Sequence, residues 1–121
     1  EVLDDFDFAG TDFGLFSAGA GISLEHAPRA ASAGCTVIDN TSAFRLDDDI
    51  PLVVPEINGD LLENLPPGSI IANPNCSTIQ MLIAIAPIHR LAGIDRINVA
   101  TYQSVSGAGS EGMEELARQT M

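Results

Sequence analysis

The chain contains no lysine. Five arginines face 17 acids, and the formal net charge is -12. A protein that grips the nucleic-acid backbone displaces counterions with a positive stripe. This sequence holds no such stripe, which excludes nucleic acid as a partner. Thirteen of the acids lie before residue 64, marking that half as a solvated acidic surface. Long apolar runs are also missing. The longest, Met81–Ile88, is far below the roughly 18 residues of a membrane-spanning helix, so no membrane association is expected. No basic, then apolar, then small-residue stretch opens the chain, so no signal peptide is visible. Only two cysteines occur, Cys35 and Cys76, and two histidines, His26 and His89. Two cysteines in a core-forming chain argue for free thiols in a reducing, cytoplasmic compartment. Neither histidine is spaced from a cysteine as metal ligands are. The Asp47–Asp49 run lacks the glycine and distal glutamate of a calcium loop, so no metal is expected. There is no initiator methionine, and Met121 falls within a helical pattern, which predicts a piece of a longer protein.

What is present is a chain of 121 residues, 45% hydrophobic, which excludes disorder and low complexity. Asp12–Ser17 reads as a strand running into the glycine-rich Ser17–Gly21. Ile22–Ala33 reads as a helix stopped by Gly34. Thr36–Asp39 is a second strand, Pro51–Pro55 a short extended piece, and Leu61–Leu65 a helical turn before Pro66-Pro67-Gly68. Ser69–Ala72 is a third strand. Ser77–Leu91 predicts a long helix, apolar nearly all round, and therefore buried on most sides and bent at Pro87. Ile97, Val99, Thr101 and Val105 alternate, which predicts a fourth strand over Arg96–Val105. A helix is then expected from Met113. Strands alternating with helices give an α/β fold with a parallel sheet. Ligands bind such sheets beyond the carboxyl ends of the strands. The loops SAGAG, DNTSAFR, NPNC and SVSGAG are expected there, converging on one rim.

Cys76 opens the long helix directly after Asn73-Pro74-Asn75. The first N–H groups of a helix lack internal partners and favour negative charge, so a thiol placed there is activated. Cys76 is thus a candidate nucleophile whose neighbouring N–H groups would hold an oxyanion. The competing reading is a buried core cysteine. Cys35 precedes a strand with no helix to activate it and reads as core. His89 lies 13 residues beyond Cys76, about 20 Å along the helix, too far to be its base. His26 sits on the first helix, and its distance from Cys76 is not readable from sequence. Gly107-Ala108-Gly109-Ser110-Glu111-Gly112 matches GxGxxG but comes late in the chain and reads as a ligand-facing turn rather than a pyrophosphate site. Gln103 is a polar residue on an apolar strand face, where it either finds a partner or marks the strand's end in solvent. Arg45, in a rim loop, reads either as an anion binder or as an ion-pair partner of Asp47, Asp48 or Asp49.

NPNCSTIQM around Cys76, TYQSVSGAGSEG around Gln103 and DNTSAFRLDDDIPLVVPEIN around Arg45 together resemble aspartate-semialdehyde dehydrogenase, in order and spacing, over nearly the whole chain. The resemblance implies a Rossmann-like sheet with its first βαβ unit missing, running into the start of an α+β catalytic domain. Residues 1–75 would be the end of the dinucleotide-binding domain, and 76–121 the catalytic helix and the start of the catalytic and dimerisation domain. It implies NADP-dependent interconversion of L-aspartate 4-semialdehyde plus phosphate with 4-phospho-L-aspartate, through a thioester on Cys76. That reaction feeds lysine, methionine, threonine and isoleucine formation. Cys76 matches the nucleophile, Gln103 a substrate-positioning glutamine, and Arg45 the phosphate site, with Asn75 beside it. Ser17, Ala18, Gly19, Ser106 and Gly107 match loops that touch the nicotinamide cofactor. A homodimer or tetramer is implied for the complete protein, and inactivity for this piece alone. N-acetyl-gamma-glutamyl-phosphate reductase is the alternative enzyme, but it carries Gly and Tyr around its cysteine where Asn75 and Ser77 stand here. A non-catalytic folding or binding module is the alternative outside the enzymes.

Overall fold

In the computed structural model, which describes residues 2–121, three strands form one parallel sheet in the order β1 (Phe13–Phe16), β2 (Thr36–Asp39), β3 (Ile70–Ala72). Phe13 pairs with Thr36 and Phe16 with Asp39, while Val37 pairs with Ile70 and Asp39 with Ala72. Helix α1 (Ala20–Ser32) crosses from β1 to β2. Its buried residues are Ser23, His26, Ala27 and Ala30, the i, i+3, i+4, i+7 stripe of one helical face. Two alanines on that stripe let the helix approach the sheet closely. There Val37, Ala72 and Cys35 are fully buried, with Phe8, Phe16 and Phe44 around them. Gly34, at φ +92°, ends α1 as its position predicts, and its N–H donates to Ala31 O at 2.9 Å.

The connection from β2 to β3 adds to the sheet. Leu52 bridges to Ala72 in parallel, and Val53 and Val54 are buried, so the expected extended piece is present. Pro55 then opens the short helix α2 (Pro55–Asn58). The turn expected at Leu61–Leu65 forms slightly earlier, as a 3-10 turn over Gly59–Leu62.

Helix α3 (Cys76–Ala92) forms and continues through Pro87. No residue of it is buried, contrary to the expectation for so apolar a helix. It meets α2, tied on by Arg90 Nη2 donating to Glu56 O at 3.1 Å, the Ile94–Ile97 segment and, near its start, Val99, Thr101 and Gln103. That leaves Ile83, Ile88 and Leu91 exposed. The expected strand over residues 96–105 does not form either. A strand needs a ladder partner, and none of the described strands lies beside this segment. The period of two nonetheless survives, because Val99, Thr101 and Gln103 line one hollow together. A 3-10 turn over Val105–Ala108 leads into α4 (Gly109–Thr120), which begins four residues before the predicted Met113.

Candidate active site

The rim at the carboxyl end of the sheet is built by hydrogen bonds among loops. Asn40, just past β2, has its N–H bonded to Phe16 O at 2.8 Å, and Asn73, just past β3, has its N–H bonded to Asp39 O at 2.8 Å. Asn73 Nδ2 donates to Asn40 Oδ1 at 2.7 Å, and Asn40 Nδ2 donates to Ser17 Oγ at 3.4 Å. One asparagine relay thus spans the ends of all three strands. Neither asparagine stood out in the sequence. Their signal was a polar amide immediately after each of two buried strands.

Arg45 is half-buried over this relay. Its Nε donates to Asn73 O at 3.0 Å and its Nη2 to Asn40 O at 3.1 Å. The ion pair with Asp47, Asp48 or Asp49 is not made among the described residues. Asp47 Oδ1 instead accepts from the N–H of Asp49 at 3.0 Å. Two carbonyls, one of them that of Asn73, three residues before Cys76, hold the guanidinium with its charge unneutralised, and nothing among the described residues bonds to Nη1.

Cys76 is exposed at the first position of α3, so the core reading fails for it. Asn75 caps the helix, its Oδ1 accepting from the N–H of Ser77 at 3.0 Å. The N–H of Ile79 is spent on Asn75 O at 3.0 Å. Among the described residues this leaves the N–H groups of Cys76 and Thr78, and Asn75 Nδ2, as open donors at the helix start. Cys35, by contrast, is fully buried. Burial, with a smaller contribution from the charge of Asp12, pushes its thiol above the ordinary range.

Gln103 is exposed and shares a hollow of about 360 Å³ with Asn75, Ser77 and Thr78. Its position is therefore against the residues that flank Cys76. The Gln103 amide also abuts Gly107, where a Cβ would collide with Nε2. Ser106 and Gly107 lie in the 3-10 turn packed on α4, and Gln103 stands between Gly107 and the residues at the start of α3. The GxGxxG stretch follows no strand, so it is no pyrophosphate fingerprint.

Ser17, Ala18 and Gly19 are exposed between β1 and α1. Gly19, at φ +110°, turns the chain into the helix without a side-chain cap, and nothing lies within 4 Å of a Cβ placed there or at Gly21. The result is an open helix N-terminus with room for backbone approach by an anionic group. His89 closes the far end of α3, its Nδ1 accepting from the N–H of Ile94 at 3.1 Å. His26 is buried with Nε2 3.3 Å from Asp4 Oδ1 and is turned toward that carboxylate. One ligating atom each from Asp4, Glu25 and His26 lie within 4.8 Å of one another, the one such group among the described residues.

A family model described as the NAD-binding domain of semialdehyde dehydrogenase matches residues 1–65. The chain belongs to the semialdehyde dehydrogenase family. A second model, the dimerisation domain of that family, matches residues 85–121. Aspartate-semialdehyde dehydrogenase of Shewanella sp. (strain DB6705) is 58% identical over 117 residues, which are 97% of this chain and 35% of that relative. The Bacillus subtilis (strain 168) protein of the same name is 54% identical, over 93% of this chain and 32% of its own length. Among solved structures, aspartate semialdehyde dehydrogenase II from Vibrio cholerae, complexed with ASA, aligns with a TM-score of 0.83 and 56% identity. It is matched over 99% of this chain and 36% of that one. The chain therefore spans about a third of the length of these relatives. The α/β, Rossmann-like parallel sheet implied by the resemblance is the fold these structures share with it.

Proposed function

We propose that this chain is the segment carrying the nucleophile and the phosphate site of an aspartate-semialdehyde dehydrogenase. The reaction is the interconversion of L-aspartate 4-semialdehyde plus inorganic phosphate with 4-phospho-L-aspartate, in the formation of lysine, methionine, threonine and isoleucine. The observation that carries the reading is Arg45, held by the carbonyls of Asn40 and Asn73, the second of them on the loop that leads into the exposed Cys76. An unneutralised guanidinium on the loop that presents a thiol at a helix start suits an anionic leaving group and a nucleophile.

In the direction of acyl-phosphate consumption, Cys76 Sγ attacks the acyl carbon, the bond to phosphate breaks, and a thioester remains on Cys76. Arg45 receives the departing phosphate, with Asn75 Nδ2 as a second donor. The N–H groups of Cys76 and Thr78 stabilise the tetrahedral oxyanion, each such donor contributing about 3–4 kcal/mol in acyl-transfer enzymes. Gln103 orients the substrate from across the hollow it shares with Asn75. The open, uncapped start of α1 fits a nicotinamide cofactor, which Ser17, Ala18 and Gly19 would hold, with Ser106 and Gly107 as a second cofactor loop. NADP, when bound, supplies or accepts the hydride. The domain boundary belongs at Cys76, with residues 76–121 entering a catalytic and dimerising half. The complete protein is a cytoplasmic homodimer or tetramer. Within the described residues no helix is long and apolar enough to cross a membrane.

Neither histidine faces Cys76 as a base: His89 is about 20 Å along α3, and His26 is turned to Asp4. A missing general base costs about 10²–10⁴-fold. The 121 residues alone are therefore expected to be inactive, and the full-length protein active. The test is NADP-dependent oxidation of aspartate semialdehyde with phosphate, followed at the nicotinamide absorbance. Ordinary turnover by the 121-residue chain, or none by the full-length protein, overturns the reading.

A further inference from the structure

Asp39 is a buried carboxylate that the proposed chemistry does not use. It ends the central strand β2 and is fully buried beneath the rim. No cation lies against it among the described residues; three neutral donors hold it instead. Ser23 Oγ donates to Oδ1 at 2.7 Å, the N–H of Thr41 to Oδ1 at 3.2 Å, and Thr41 Oγ1 to Oδ2 at 2.8 Å. A buried carboxyl is costly unless its oxygens are hydrogen-bonded, and here every bond it accepts comes from Ser23 or Thr41. Its position supplies a reason for it beyond packing.

The two sides of Asp39 lead to different loops. Ser23 lies in the first turn of α1, and its N–H is bonded to Gly19 O at 3.1 Å. Oδ1 therefore fixes the helix start that follows Ser17, Ala18 and Gly19. Thr41 leads the other way, its Oγ1 accepting from the N–H of Ala43 at 3.2 Å. That pair shapes the turn between Asn40, whose carbonyl holds Arg45, and Arg45 itself. We propose that Asp39 is a positioning residue that ties the cofactor loop at Ser17–Gly19 to the anion loop at Asn40–Arg45, holding each in the shape that binds its ligand. This rests on the reading of the site given above. Asp39 touches neither ligand; it acts through Ser23 and Thr41.

The two arms are separable by mutation in the full-length protein. Ser23→Ala removes the α1 arm alone, and Thr41→Val removes the hydroxyl of the loop arm while keeping its shape. NADPH affinity is read by fluorescence titration and phosphate affinity by calorimetry, so neither readout needs turnover. Ser23→Ala is expected to weaken NADPH binding about tenfold and leave phosphate binding within about twofold; Thr41→Val is expected to do the reverse. Asp39→Ala weakens both, and Asp39→Asn, which keeps one acceptor, restores part of each. Melting temperature is measured on every variant. A merely structural Asp39 lowers it in all of them without moving either binding constant. Unchanged constants in Ser23→Ala and Thr41→Val, or equal shifts of both constants in each, overturn the proposal. Failure of the wild-type protein to turn over aspartate semialdehyde overturns the functional reading instead, while the two binding constants still decide the tether.

Discussion

The two parts of this chain, before and after Asn75, are opposites in packing. Among the described residues every buried one lies before it: the core at Phe8, Phe16, Ala27, Ala30, Cys35, Val37, Phe44, Val53, Val54 and Ala72, the buried polar Ser23, His26, Asp39 and Thr41, and Pro74. After it, a helix of higher apolar content than α1 buries nothing. Hydrophobicity alone does not make a core; apolar residues become core only where a second element covers them. The two cysteines show the same contrast in chemistry. Cys35 sits in the packed part, with its thiol pushed up by burial; Cys76 stands exposed where the open part begins. The candidate site lies at the seam, with Arg45 bonded to Asn73, two residues before the division.

The largest effect is expected at that seam. In the full-length protein, Arg45→Ala should raise the KM for phosphate about 30-fold or more while the KM for NADP changes less than about threefold. Steady-state kinetics with each substrate varied separately decides this. Equal changes in both would make Arg45 a structural clamp between Asn40 and Asn73 and nothing more. A smaller effect sharpens the contrast between the parts themselves. In the 121-residue chain, Val37→Ala deletes fully buried methyl groups and should cost on the order of 2–3 kcal/mol. Ile88→Ala, on the exposed face of α3, should change stability by less than about 0.5 kcal/mol. Denaturant titration of both variants measures the difference. Comparable losses would mean that α3 is packed after all.

The sequence was most legible where local signals and tertiary contacts agree. Thr36–Asp39 was readable to the residue because a β-branched run follows a glycine stop and lies between two neighbouring strands. The end of α1 at Gly34 was readable because only glycine tolerates that φ cheaply. Residues 96–105 misled because alternation reports two faces, while a strand also needs a partner to bond with, and sequence does not say where one lies. Burial of α3 misled for the same reason. At the site, the place of Cys76 at a helix start and of Arg45 in a rim loop was legible from local pattern. The Asn40–Asn73 relay and the Asp39 cluster were not, because each links positions that only the parallel register brings together.

The titration of Cys35 gives the contrast a pH dependence. A folded thiol whose pKa is raised holds its proton more tightly than the unfolded one. Its contribution is present below the ordinary thiol range and is lost as pH rises through the raised value. Stability should therefore fall on the alkaline side as Cys35 ionises.

The central claim is that Cys76, and not Cys35, is the nucleophile. Iodoacetamide labelling of the folded full-length protein at neutral pH, resolved by peptide mapping, tests it most directly. The exposed thiol at the start of α3 should be modified completely before any label is found on buried Cys35, with loss of activity tracking the Cys76 label alone. Equal labelling of the two, or Cys35 first, would contradict it.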